Sequence, residues 1–197
     1  MKVIGLTGSI AMGKSETARM FAEAGVPVFD SDAMVHRLYA TDGAAVAPLR
    51  QAFPQAVRNG AVDRETLSAI LAREPERFAE LEAIVHPLLR RAEEQFLADH
   101  RARGTPIVLL DIPLLFETQR ENEVDVIVVV SAPAAIQRAR ALARPGMTAE
   151  KLATILARQM PDAEKRKRAD FIVDSSQGLD HARAEVRHIL QSLAADA

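Results

Sequence analysis

Cysteine is absent from the 197 residues of this sequence. Disulfide bonds, thiolate metal sites and cysteine nucleophiles are therefore excluded. The five histidines show no spacing typical of a zinc site. Candidates for a functional site must come from other residue types.

The sequence also lacks a long hydrophobic run. No apolar stretch approaches the roughly eighteen residues expected of a membrane-spanning helix. The first residues have the pattern of a strand, without the charged and then apolar regions of a targeting signal. We therefore expect a cytoplasmic protein that does not contact a membrane.

An excess of basic charge is missing as well. The formal net charge is -2, which argues against the general basic surface that non-specific nucleic-acid binding uses. The run Lys165-Arg166-Lys167-Arg168 resembles a nucleic-acid patch, but one short run is more often a helix surface. We expect no nucleic-acid partner, and the sequence does not indicate an oligomeric state.

Five short, continuous, mostly β-branched runs predict strands that are buried on both faces of a sheet. They occupy residues 3–6, 26–29, 107–110, 126–130 and 171–173. Helical stretches rich in Ala, Glu and Arg separate several of these runs. This alternation predicts an α/β fold with a doubly wound parallel sheet. The motif at residues 8–15, described below, makes this sheet one of the P-loop NTPase type.

Two longer excursions interrupt that alternation. Residues 33–103 contain apolar residues at helical spacing, notably at 65–71 and 76–96, and we interpret them as a helical insertion. Residues 134–168, here called the lid segment, are also helical but are broken at Arg144-Pro145-Gly146. We therefore expect a single domain over 1–197, whose core comprises about 1–32, 104–133 and 169–197; the motif described next makes this core the nucleotide-binding part.

The strongest motif is G-x-x-x-x-G-K-[ST] at residues 8–15, which follows one predicted strand and precedes a helical run. In such a P-loop, backbone N–H groups bind phosphate oxygens, Lys14 reaches the β- and γ-phosphates, and the Ser15 hydroxyl binds Mg²⁺. The expected nucleotide-binding residues of this loop are Gly8, Ala11, Met12, Gly13, Lys14, Ser15 and Glu16.

Carboxylates follow two of the predicted strands, at the edge of the sheet where ligands bind. Asp30 and Asp32 follow the second run, and we expect one to cap the next helix and the other, Asp32, to act as general base. Asp111 ends the third run, where it could assist Mg²⁺ or orient Lys14. An Asp at that position is also common as a helix cap.

The lid segment supplies arginines. Arg140 and Arg144 are four residues apart, so we expect them to share one helix face. Solvated surface is the usual interpretation of such residues. The functional alternative is a lid arginine that neutralises charge on the transferring phosphoryl group.

Five segments together, spanning most of the chain, resemble the dephospho-CoA kinase family. They are GLTG at 5–8, FDSD at 29–32, LEAIVHPL at 81–88, DIPLLFE at 111–117, and the stretch from QMP to ADF at 159–171. The resemblance implies transfer of the ATP γ-phosphate to the ribose 3′-hydroxyl of dephospho-CoA, with Mg²⁺ as cofactor. It also implies that the helical insertion binds the substrate.

The same resemblance implies individual roles. Asp32 matches the family's acid-base position and Arg144 its lid arginine. Apart from the resemblance, we expect Arg140 of the lid segment to bind the nucleotide. The substrate contacts that it implies are Thr7, Asp32, His86, Pro87 and Arg90. His86 has an alternative interpretation as a structural cap.

The sequence departs from the family pattern in the P-loop and near the end. Ser9, Ala11 and Met12 stand where Gly or Ser is commoner, and Glu16 replaces the usual Thr. Ser175 stands where the family commonly has Asn. Another small-molecule P-loop kinase, such as one for nucleoside monophosphates, and a non-catalytic nucleotide-binding module stay open as alternatives. A switch GTPase is excluded, because no Lys lies in an Asn/Thr-Lys-x-Asp motif.

Overall fold

A computed structural model describes residues 1–195 of the chain. The described residues divide into two compact units: the first contains Met1–Val28 and residues 104–195, and the second is Phe29–Arg103. The strands are β1 Lys2–Thr7, β2 Val28–Asp30, β3 Val57–Arg58, β4 Ala61–Val62, β5 Ile107–Asp111, β6 Val126–Ser131 and β7 Phe171–Asp174.

Five strands form one sheet in the order β2-β5-β1-β6-β7. The pairs β1–β5, β1–β6 and β6–β7 are parallel. This sheet confirms the predicted fold class, and each of the five predicted runs overlaps one of its strands. Because β1 lies in the middle of the sheet, the loop that follows it leaves from the centre of the carboxyl edge.

The helices of the first unit are α1 Lys14–Glu23, α6 Ala134–Leu142, α7 Ala149–Ala157, α8 Asp162–Lys167 and α9 Leu179–Ala195. The apolar faces of α1 and α9 meet the sheet in one core. Phe21 of α1 and Ile189 of α9 are buried there with Ile4, Leu109 and Val128 of the strands. The buried β-branched and leucine side chains explain why these runs form interior strands.

The helices of the second unit are α2 Ser31–Tyr39, α3 Val46–Ala52, α4 Arg64–Arg73 and α5 Phe78–Ala102. They surround a core that includes Leu49, Phe53 and Leu67. The helices predicted at 65–71 and 76–96 are confirmed as α4 and α5. The antiparallel pair β3–β4 was not predicted; it turns at Asn59 and Gly60, whose positive φ values of 50° and 77° suit the Asn-Gly turn of a hairpin.

Over residues 1–195, no helix combines the length and the hydrophobicity required to cross a lipid bilayer.

Candidate active site

The P-loop joins β1 to α1, and two of its glycines are required by its geometry. A Cβ on Gly8 would lie 2.7 Å from the carbonyl oxygen of Val130, so only glycine fits that close approach. Gly13 has a φ of 95° immediately before α1 begins at Lys14. The loop therefore delivers the N-terminus of a ten-residue helix to the edge of the sheet, which is a favourable position for phosphate groups.

Asp111 contacts Lys14. The Lys14 ammonium forms an ion pair with the carboxylate of Asp111, and the exposed fractions of the two side chains are only 14% and 6%. The pairing of the parallel strands places Asp111 beside Leu6 of β1, just before the P-loop. The sequence left two roles open for Asp111, to assist Mg²⁺ or to orient Lys14. The ion pair is the contact that the second role requires.

Arg140 lies next to the P-loop. Its guanidinium donates to the Ser175 hydroxyl at 2.8 Å and to the Ser175 carbonyl oxygen at 2.7 Å. The Ser175 hydroxyl in turn donates to the carbonyl oxygen of Met12 at 2.6 Å. Ser175 therefore connects the lid segment, the end of β7 and the P-loop.

A cavity of about 480 Å³ opens beside these groups, within the range that small-molecule sites occupy. Residues of the P-loop, α1, the lid segment and the start of α9 line it, among them Ala11, Gly13, Arg140, Arg144, Ser175 and Leu179. The sequence-predicted residues Gly13, Arg140 and Arg144 are thus brought together.

The expectation that Arg140 and Arg144 share one helix face is wrong. Helix α6 ends at Leu142, and the Arg144 N–H closes a turn on the carbonyl oxygen of Ala141 at 3.1 Å. A residue before proline is disfavoured in the helical conformation, so Pro145 stops the helix before Arg144. Both arginines line the cavity, but from different elements.

The remaining predicted residues of the P-loop have distinct environments. Ser15 is exposed in the first turn of α1, and Glu16 pairs with Arg19 one turn later. The Met12 side chain is buried, with 1% of its surface exposed, so only its backbone can contact a phosphate. Ala11 has a left-handed backbone with a φ of 61°, which explains why glycine is common at this position.

Asp30 caps helix α2, as predicted. Its carboxylate accepts from the Ala33 N–H at 2.9 Å. Asp32 is the second residue of the same helix and its side chain is exposed to solvent. Asp30 is therefore engaged as the helix cap. Asp32 lies in the first turn of α2, where its carboxylate is accessible to solvent.

Helix α5 presents His86, Pro87 and Arg90 on its exposed surface. His86 and Arg90 are four residues apart and so share a face of the helix. The interpretation of His86 as a cap is wrong, because it lies near the middle of a 25-residue helix. Pro87 also lies inside this helix, where its missing N–H leaves one helical hydrogen bond unmade.

Thr7 is fully buried at the end of β1, and its hydroxyl donates to the carbonyl oxygen of Pro113 at 3.3 Å. The structure therefore separates Thr7 from solvent, unlike the other residues that the resemblance assigned to substrate binding.

Sequence reasoning misjudged Lys165, which was expected on a helix surface. It is fully buried in α8, and its ammonium lies 2.8 Å from the Glu117 carboxylate, which also accepts from the Met160 N–H at 2.8 Å. Burial raises the pKa of Glu117, but the Lys165 ammonium and the Met160 N–H outweigh that effect, so the pKa lies below its usual value. One signal in the sequence indicated that Glu117 and Lys165 belong together: both lie in segments that resemble the same family.

No group of three His, Asp or Glu side chains suited to a metal ion occurs in the part of the chain that the structure describes. The predicted metal ligands Ser15 and Asp111 supply one hydroxyl and one carboxylate. Such a sparse donor set is typical of Mg²⁺ sites in which phosphate oxygens and waters complete the coordination.

Known proteins resemble this chain over nearly its full length. The family model described as dephospho-CoA kinase matches residues 2–181. A curated protein of Rhizobium meliloti named dephospho-CoA kinase is 57% identical over 195 residues, covering 99% of this chain and 100% of the relative. Another, from Mesorhizobium japonicum, is 58% identical over 193 residues, covering 98% and 97% of the two chains.

The fold is also similar to solved structures. The crystal structure of TT1252 from Thermus thermophilus has a TM-score of 0.78 and 35% identity, covering 99% of this chain and 97% of that one.

Proposed function

Because this chain belongs to the dephospho-CoA kinase family, we propose that it transfers the γ-phosphoryl group of ATP to the ribose 3′-hydroxyl of dephospho-CoA. The products are coenzyme A and ADP. The observation that carries the proposal is the P-loop whose Lys14 is held by Asp111 beside a cavity that Arg140 and Arg144 line. Cations and a helix N-terminus at one place suit the phosphates of a nucleotide.

On the nucleotide side, the backbone of the loop from Gly8 to Lys14 binds the phosphates, and the Lys14 ammonium neutralises charge on the β- and γ-groups. Arg140 contacts the nucleotide from the lid segment. Arg144 approaches the transferring phosphoryl group and stabilises the charge that develops there. Ser15 and Asp111 would hold Mg²⁺, which supplies further neutralisation of the phosphate oxygens when bound.

On the acceptor side, Asp32 acts as general base. The 3′-hydroxyl oxygen forms a bond to the γ-phosphorus while the bond from that phosphorus to the β,γ-bridging oxygen breaks. The hydroxyl proton passes to the Asp32 carboxylate. His86, Pro87 and Arg90 of α5 bind the acceptor, and Arg90 supplies a cation for its phosphate groups. Thr7 is assigned to substrate binding from the resemblance alone.

The core over 1–32, 104–133 and 169–197, the insertion over 33–103 and the lid segment form the three functional parts of this proposal. The cytoplasmic location and the absence of a nucleic-acid partner stay predictions from the sequence.

A coupled assay of ADP release tests the acceptor. We expect release to depend on dephospho-CoA and to be negligible with AMP, with CMP or without an acceptor. The Lys14→Ala variant, purified in the same way, controls for contaminating kinases. A response only to AMP or CMP would instead identify a nucleoside monophosphate kinase, and equal release without acceptor would identify an ATPase.

A further inference from the structure

Two glutamines of the lid segment bind one residue of the P-loop. The Ile10 N–H donates to Oε1 of Gln159 at 3.0 Å, and Nε2 of Gln137 donates to the Ile10 carbonyl oxygen at 3.0 Å. Gln137 belongs to α6 and is 8% exposed, whereas Gln159 lies half-buried between α7 and α8. Both polar backbone groups of Ile10 are therefore fixed by side chains from outside the loop.

Apolar contacts support the same attachment. The Ala11 methyl is buried in a small cluster with Ala141 of α6 and Leu152 of α7, and Ile10 packs against it. Ala11 and Ile10 stand in the part of the loop that departs from the family's glycine-rich pattern. These contacts indicate that the departure at Ala11 is accommodated by side chains of the lid segment.

The hydrogen bonds have a consequence for the phosphate-binding face. In a trans peptide, the carbonyl of one residue and the N–H of the next point in opposite directions, and all peptides of the described residues are trans. The Ile10 carbonyl points at Gln137, so the Ala11 N–H points away from it. The Met12 carbonyl points at Ser175, so the Gly13 N–H is directed away from Ser175 in the same manner.

We propose that Gln137 and Gln159 are positioning residues that orient the P-loop amides for phosphate binding, so that the lid segment sets nucleotide affinity through Ile10. Without the Gln137 donor, the peptide between Ile10 and Ala11 is free to rotate, and its carbonyl can turn towards the phosphates and repel them. This inference rests on the nucleotide-binding half of the proposed function and does not depend on the identity of the acceptor.

The same substitution at the two positions gives opposite expectations. Gln159→Glu keeps an oxygen that accepts from the Ile10 N–H, whereas Gln137→Glu replaces a donor by a carboxylate that faces the Ile10 carbonyl oxygen. In calorimetric titration with Mg·ADP, we expect Gln159→Glu to bind within about threefold of wild type and Gln137→Glu to bind at least about tenfold more weakly. The KM for the acceptor should change little in both.

Two further variants remove a partner without adding charge. Gln137→Met and Gln159→Leu should each weaken ADP binding by about two- to tenfold, because each deletes one neutral hydrogen bond. Gln159→Glu keeps the acceptor oxygen that Gln159→Leu removes. If Gln159→Glu binds ADP as wild type does and Gln159→Leu binds it more weakly, the loss is due to the missing acceptor atom and not to altered packing. If Gln137→Glu does not show cooperative thermal unfolding, Gln137→Met decides the role of Gln137.

The inference is overturned if Gln137→Glu is folded and binds ADP as tightly as wild type does. If Gln137→Glu is not folded, wild-type ADP affinity of Gln137→Met overturns it instead. It is also overturned if Gln159→Glu loses as much ADP affinity as Gln159→Leu. A wild-type protein that binds ADP but phosphorylates another acceptor would contradict the proposed substrate and leave the inference intact. A wild-type protein that binds no ADP would contradict both.

Discussion

The Lys14 ammonium of the P-loop and the Asp111 carboxylate at the end of β5 form an ion pair that is largely shielded from solvent. The lysine is thus held at the carboxyl edge of the sheet by a group from the neighbouring strand. Asp111 is buried, so the Lys14 ammonium offsets part of the cost of keeping its carboxylate charged there.

Lys14→Ala should abolish most turnover. It should also lower the free energy of unfolding by about 1–3 kcal/mol, because it leaves the buried Asp111 carboxylate without this cation. Adding Asp111→Asn should recover much of the stability but no activity, as urea unfolding and the ADP-release assay would show. Wild-type turnover of the Lys14→Ala variant would contradict the role of Lys14.

Asp32→Asn should reduce kcat by about 10²–10⁴-fold with little change in ATP binding, because general-base assistance is lost. Asp30→Asn is the matched control: its side-chain oxygen can still accept from the Ala33 N–H, and Asn caps a helix about as well as Asp. Both variants would be measured at saturating ATP and acceptor. An inactive Asp30→Asn beside a normal Asp32→Asn would reverse the two roles.

The buried pair of Glu117 and Lys165 should show strong coupling in a double-mutant cycle. Glu117→Gln and Lys165→Met should each lower the free energy of unfolding by about 3–5 kcal/mol, because each leaves one buried charge unpaired. The double variant should be more stable than either single variant. Urea unfolding of the four proteins tests this, and strictly additive losses would show that the two charges do not depend on each other.

The same pair contributes to the pH dependence of stability. The folded-state pKa of Glu117 is below its unfolded value of about 4.3, so this contribution is complete above that pH and is lost as the pH falls through the folded pKa. Between about pH 5 and pH 3, wild type should therefore lose more stability than Glu117→Gln. Equal slopes for the two proteins would contradict the lowered pKa.

Local patterns predicted the parts of the structure that local sequence determines. The P-loop lies within residues 8–15, and its two fixed glycines and its lysine are recognisable because the loop's geometry depends on adjacent residues. The strands were recognisable because each is a short, continuous apolar run buried on both faces. The Asn59-Gly60 turn was also readable in the sequence, but the strands beside it have only two residues each.

Contacts between distant segments could not be predicted in this way. Gln159 and Ile10 are 149 residues apart, and nothing in their local patterns indicates that they meet. Lys165 has a strongly basic neighbourhood that is typical of solvent-exposed helices, yet the Glu117 carboxylate stabilises it in the interior. Arg140 and Arg144 were placed on one helix face from their spacing alone, whereas α6 ends at Leu142, because Pro145 disfavours the helical conformation of the residue before it.

The fate of the γ-phosphate tests the proposed reaction most directly. ATP that carries a radioactive γ-phosphate would be incubated with the protein and dephospho-CoA, and the product treated with a phosphatase specific for 3′-nucleotides. We predict that the label appears in coenzyme A and that this phosphatase releases all of it. Label in inorganic phosphate before that treatment, or at a position that the phosphatase does not cleave, would contradict transfer to the 3′-hydroxyl.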